Sequence, residues 1–66
     1  MKIIINGETH DVEPGTTVAD LLAHVGAPAS GIAVARNEQV VRRADYGSHE
    51  VREGDAIEII KAVAGG

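Results

Sequence analysis

Thr17-Val18-Ala19-Asp20-Leu21-Leu22-Ala23-His24-Val25-Gly26 is where the hydrophobic period of this chain changes. Val18, Leu21, Leu22 and Val25 fall at i, i+3, i+4 and i+7, which places them on one face of a helix. Thr17 is suited to cap the N-terminus, and Asp20 lies in the first turn, near the positive end of the helix dipole. Gly26 fits the left-handed position just past the C-terminus, and Pro28 forbids continuation. A helix of about two to three turns is marginal alone in water, so its Val/Leu face must be held by packing on something else.

The segments on either side supply a sheet. Residues 2–6, Lys2-Ile3-Ile4-Ile5-Asn6, are rich in β-branched side chains and read as a strand. Asn6-Gly7 tolerates the positive φ of a type I′ hairpin turn. Residues 9–13 return, with Val12 as their clearest apolar contact, and Pro14-Gly15 ends them. Beyond the helix, residues 32–36 read as a third strand, Asn37-Glu38-Gln39 as a turn and residues 40–42 as a short fourth strand. Residues 44–50 lack a period and read as a loop or a short 3₁₀ turn. Glu53-Gly54-Asp55 is a turn into a last strand over residues 56–61. The order β-β-α-β-β-β predicts a two-layer α+β domain, with one helix across one face of a mixed sheet. The first and last strands carry the longest aliphatic runs, so they are expected centrally, adjacent and parallel. The domain is expected over residues 1–61. Residues 62–66 read as a flexible C-terminal tail, mobile from about Val63 in the absence of a partner.

Composition narrows the function. The 66 residues are one domain, and 44% hydrophobic with 24% charged is a globular rather than a disordered balance. Tyr46 is the single aromatic, so the core is aliphatic and no base-stacking platform is available. A formal net charge of −4 speaks against nucleic acid and anionic membrane as partners. There is no cysteine, which removes disulfides, thiolate nucleophiles and thiolate metal sites together. The apolar run near Met1 is too short for a signal peptide or a membrane span, so the cytoplasm is the expected location. His10, His24 and His49 match no metal-ligand spacing and read as solvated or packed side chains, so no metal is expected. Arg36, Arg42, Arg43 and Arg52 read as exposed charges guarding a sheet edge. The glycines form no phosphate loop and the carboxylates are scattered. With no catalytic constellation, the chain is not expected to be an enzyme or to hold a cofactor.

Two features remain. The chain ends Ala64-Gly65-Gly66, and glycine, lacking a Cβ, passes through a slot too narrow for any side chain. Such an end suits a thread that presents the Gly66 carboxylate, with Val63, Ala64 and Gly65 as the part that enters a partner's active site. The second feature is a face. Successive strand side chains point opposite ways, so if Ile3, Ile5, Ile32, Val34, Ile57 and Ile59 face the helix, Ile4, Ala33, Ala35 and Ile60 share the uncovered face. A contiguous apolar patch on a small domain reads as a docking surface.

Ile5-Asn6-Gly7-Glu8, Thr17-Val18-Ala19-Asp20-Leu21-Leu22, Ala33-Val34-Ala35-Arg36-Asn37, Gly54-Asp55-Ala56-Ile57-Glu58-Ile59 and Val63-Ala64-Gly65-Gly66 together resemble the sulfur carrier proteins of thiamin biosynthesis, over nearly the whole chain. That family has the ubiquitin-like β-grasp fold, which agrees with the element order. The resemblance implies a cycle in which an adenylating, E1-like enzyme uses ATP to convert the Gly66 carboxylate into an acyl-adenylate. A persulfide sulfur donor turns this into a thiocarboxylate, and thiazole synthase accepts the sulfur. Both enzymes are expected to dock on the uncovered face. Two positions depart from the pattern: Arg42, where similar sequences often carry proline, and Glu38, after the turn asparagine. Other readings stay open at this point. They are a β-grasp sulfur carrier for molybdopterin, cysteine or tRNA thiolation, a protein modifier, and a ubiquitin-like binding module.

Overall fold

The helix forms over Val18–His24 (α1), and both of its ends are closed by neighbouring groups. At the N-terminus, Thr17 Oγ1 accepts from Asp20 N while the Asp20 carboxylate accepts from Thr17 N, a reciprocal capping box. The next two free donors are met from across the fold, Val18 N by His49 O and Ala19 N by Tyr46 O, both at 2.9 Å. At the C-terminus, Gly26 takes φ +73°, and its N–H reaches Ala23 O while Ala27 N reaches Leu22 O at 2.8 Å. This is the Schellman pattern, and it makes Val25 the C-cap. Val25 is therefore 39% exposed instead of completing the buried face formed by Val18, Leu21 and Leu22.

The computed structural model describes residues 1–28 and 31–61. Its strands are β1 (Lys2–Ile5), β2 (Glu8–Asp11), β3 (Ile32–Arg36), β4 (Gln39–Val41) and β5 (Ala56–Lys61). They form one five-stranded sheet in the order β2-β1-β5-β3-β4. β1 and β5 are adjacent and parallel, with Ile4 opposite Ala56 and Ile5 opposite Ile57, and β5 lies in the middle. This is the mixed sheet that the order of elements predicts, in the β-grasp arrangement that the resemblance implies. The bounds of β1, β2 and β4 shift by one or two residues from those read in the sequence, and the two hairpin turns set where the paired strands begin. Asn6 and Gly7, at φ +49° and +84°, make a two-residue turn that pairs Ile5 with Glu8. β2 thus starts at Glu8 and stops at Asp11 opposite Lys2. Val12 falls beyond it, with its N–H on Met1 O and its side chain partly buried against the core. Asn37 and Glu38, at φ +50° and +72°, do the same for the second hairpin, so Gln39 pairs with Arg36 and begins β4. Residues Arg43–Asp45 form the short 3₁₀ turn, after which Tyr46 and Val51 are buried.

One aliphatic layer joins helix and sheet. Ile3, Ile5, Val34, Val41 and Ile57 meet Val18, Leu21 and Leu22, with Tyr46 and Val51 closing one side and Ile32 and Ile59 packed at the margin. No helix among the described residues is long and apolar enough to cross a membrane. Residues 62–66, read from the sequence as the tail beyond a domain ending at residue 61, lie outside the described residues.

Candidate functional site

The alternation that buries Ile3 and Ile5 turns Ile4 outward, where it is 40% exposed. Along β5 the same rule buries Ile57 and turns out Ile60, 55% exposed. In β3 Val34 is buried while Ala33 is exposed and Ala35 half-buried. Pairing brings these side chains together on the sheet face that α1 does not cover. Ala33 lies opposite Ile60, and Ala35 lies opposite Glu58 on one side and Val40 on the other. Ile4 lies opposite Ala56. The face is therefore one apolar floor across β1, β5, β3 and β4. Val40, 77% exposed, belongs to it although it was not singled out from the sequence. Its alternation with the buried Val41 was the available signal, in a strand too short to show a period. Glu58 stands on the same face and was likewise not singled out.

Two charge pairs stand out among the described residues. Lys2 and Asp11, outward on β1 and β2, meet at 3.1 Å and both are exposed. Arg36 does not join an exposed basic edge, as read from the sequence. Its Nε donates to Asp55 at 2.6 Å, and the guanidinium is half-buried where β3 meets the turn into β5. The Asp55 carboxylate also accepts from Arg52 N at 2.7 Å and from Asn37 Nδ2 at 3.1 Å. Burial by itself raises the Asp55 pKa, but the hydrogen bonds from Arg36, Arg52 N and Asn37 and the charge of Arg36 outweigh it. Together they hold the carboxyl below its ordinary value.

The fold brings two of the three histidines together, which their spacing did not reveal. His10 on β2 and His24 at the end of α1 meet edge to face, with Nδ1 of one 3.4 Å from Nε2 of the other. Glu8 approaches His10 at 3.8 Å. These side chains line a groove of about 520 Å³, together with Asn6, Val25, Ile59 and Lys61. Among the described residues no group of three or more His, Cys, Asp or Glu side chains could hold a metal ion.

β5 carries the chain to Lys61, opposite Ile32. Asn6 grips this end of the strand with both ends of its amide. Its Oδ1 accepts from Ile59 N at 2.8 Å and its Nδ2 donates to Ile59 O at 3.2 Å. Val63, Ala64, Gly65 and Gly66, read from the sequence as the thread and its reactive end, lie outside the described residues.

Known proteins resemble this chain in sequence and in fold. Sulfur carrier protein ThiS of Escherichia coli is 35% identical to this chain over 66 residues, covering 100% of both chains. A thiazole synthase of Magnetococcus marinus is 44% identical over 66 residues and one of Paramagnetospirillum magneticum is 36% identical over 66. The chain spans 20% of the length of each of these two relatives. Among solved structures, the thiamine biosynthesis protein (ThiS) of Geobacter metallireducens superposes with a TM-score of 0.83 at 29% identity, covering 100% of both chains. The family model described as "ThiS family" matches residues 3–66, from the first buried isoleucine of β1 through Gly65-Gly66. On sequence, strand order and fold together, the chain belongs to the ThiS family.

Proposed function

We infer that this chain is a sulfur carrier of thiamin biosynthesis whose working group is the carboxyl of Gly66. The observation that carries the reading is the family match, which runs through Gly65-Gly66 at the end of a domain with no cysteine. A carboxylate is a poor electrophile, so an adenylating enzyme must first join it to AMP from ATP, with release of pyrophosphate. A persulfide sulfur then attacks the acyl carbon and AMP leaves, giving an acyl disulfide. A second thiol of the sulfur donor or activating enzyme attacks the far sulfur of that bond, so a disulfide is left there and the thiocarboxylate is left on Gly66. Thiazole synthase takes that sulfur. The enzymes supply positioning and charge stabilisation, and the carrier supplies the carboxylate and a thread that fits. The chain is in this reading a protein cosubstrate, not a catalyst. Val63, Ala64 and Gly65 enter the active sites ahead of the acyl group. Ile4, Ala33, Ala35 and Ile60, together with Val40, form the face that docks, because they make the apolar floor that the helix leaves open. The two thiazole synthases of which this sequence resembles a fifth favour that enzyme as the sulfur acceptor over those of other thiolation pathways.

Intact-mass measurement tests the chemistry. Chain purified from thiamin-limited cells is expected to carry the mass gain of one oxygen exchanged for sulfur. Deletion of Gly66 is expected to abolish it with no change in the melting temperature. Unmodified mass in cells that make thiazole, or a truncated chain that still supports thiazole formation, overturns the reading.

A further inference from the structure

The uncovered face carries one unpaired charge in its middle. Glu58 projects from the central strand between Ala56 and Ile60. Its cross-strand neighbour on β3 is Ala35, with Val40 beyond it on β4, and Ile4 lies diagonally across on β1. Ala35 and Ala56 are short, so the carboxylate stands clear of the floor. It enters no hydrogen bond or ion pair among the described residues, whereas Lys2 and Asp11, at the far edge of this face, neutralise each other. A partner that covers Ile4, Ile60 and Val40 must cover Glu58 as well. Stripping water from a lone carboxylate is strongly unfavourable, and a cation set opposite recovers the loss and fixes the register of docking.

We propose that Glu58 selects the partner: the thiazole synthase surface that seats on this face is an apolar patch with one Lys or Arg side chain placed to meet the Glu58 carboxylate. This rests on the docking reading above, and the two can be separated by the sign of an effect. If the face binds only through apolar contact, Glu58 is an obstacle, and neutralising it strengthens binding. If a cation meets it, neutralising it weakens binding.

The measurement is calorimetric titration of the full chain against the thiazole synthase of the same organism. Glu58→Gln is expected to weaken binding at least about tenfold, and Glu58→Lys further. A Lys→Glu or Arg→Glu change at the facing synthase position is expected to restore the Glu58→Lys chain. Because Glu58 is exposed, both variants should melt with the parent. Equal or tighter binding by Glu58→Gln overturns the role of Glu58. Loss of binding by Ile60→Lys in the same series then leaves the docking face standing. Unweakened binding by Ile60→Lys overturns the docking face instead, and no binding by the parent chain overturns thiazole synthase as the partner.

Discussion

Asp55 is a buried carboxylate that ties three parts of the chain together: Arg36 at the end of β3, Asn37 in the hairpin turn and the backbone of Arg52. Removing it leaves the half-buried Arg36 guanidinium without its partner, so Asp55→Ala is expected to cost about 2–3 kcal/mol in urea unfolding at neutral pH. Its lowered pKa sets a pH dependence. The folded value lies below the unfolded one, so the contribution is full above the unfolded pKa and is lost as pH falls through the folded one. Stability of the parent should fall on the acid side more steeply than that of Asp55→Asn, and parallel acid limbs would contradict this. Glu38 is the opposite case, a residue that the backbone does not favour. At φ +72° its side chain has no compensating local hydrogen bond among the described residues. Relief of left-handed strain in Glu38→Gly exceeds the entropy that glycine loses on folding, for a net gain of about 0.5 kcal/mol and a rise in Tm of about 2–4 °C. The Asn37-Glu38 turn was legible because turn chemistry is local. The partners of Asp55 were not, because Arg36 is 19 residues away and no rule of spacing joins them.

α1 was the most legible element, and its energetics explain why. A helix of seven residues has little propensity to draw on, so its ends carry much of the specification, and end signals are written in adjacent residues. Thr17→Ala opens the capping box and should cost about 1 kcal/mol. Gly26→Ala should cost a similar amount, about 1–2 kcal/mol, through backbone strain alone. An added Cβ at Gly26 meets nothing within 4 Å, so a steric account is excluded. The two sites lie at opposite ends of the helix with no shared partner, and the double variant should show the sum of the single losses in thermal melts. β5 was legible in extent and position but not in how it is held. Asn6 and Asn37, each the first residue of a hairpin turn, reach sideways to β5. Asn6 bonds both backbone groups of Ile59, and Asn37 accepts from Ala56 N at 2.9 Å. Each asparagine therefore serves twice, once through its tolerance of positive φ and once through its amide. Only the first use shows in a dipeptide.

Across the whole molecule, the buried aliphatic layer and the exposed apolar floor occupy opposite faces of one sheet. The face toward α1 buries Ile3, Ile5, Val34 and Ile57 almost completely, and the other leaves Ile4, Val40 and Ile60 in water. Alternation made most of this readable: the sheet can bury only every second residue, and aliphatic side chains also occur at the remaining positions. The meeting of His10 with His24 was not readable, since it depends on where a hairpin and a helix end happen to approach. The separation of faces yields a test of the molecule as a unit. Ile4→Lys combined with Ile60→Lys removes no core contact, so the double variant should keep its stability to within about 1 kcal/mol. Two buried cations would, however, be required of any partner that seats on the apolar floor. Binding to the activating enzyme and to thiazole synthase should both fall, and transfer of sulfur to the terminus should fall with the first. If the double variant melts with the parent and still binds both enzymes with unchanged affinity, recognition does not lie on this face. If it unfolds, the two faces are not independent. The expected result is a folded chain that neither enzyme holds, which would show that the thread ending in Gly66 reaches its chemistry only when the sheet behind it is docked.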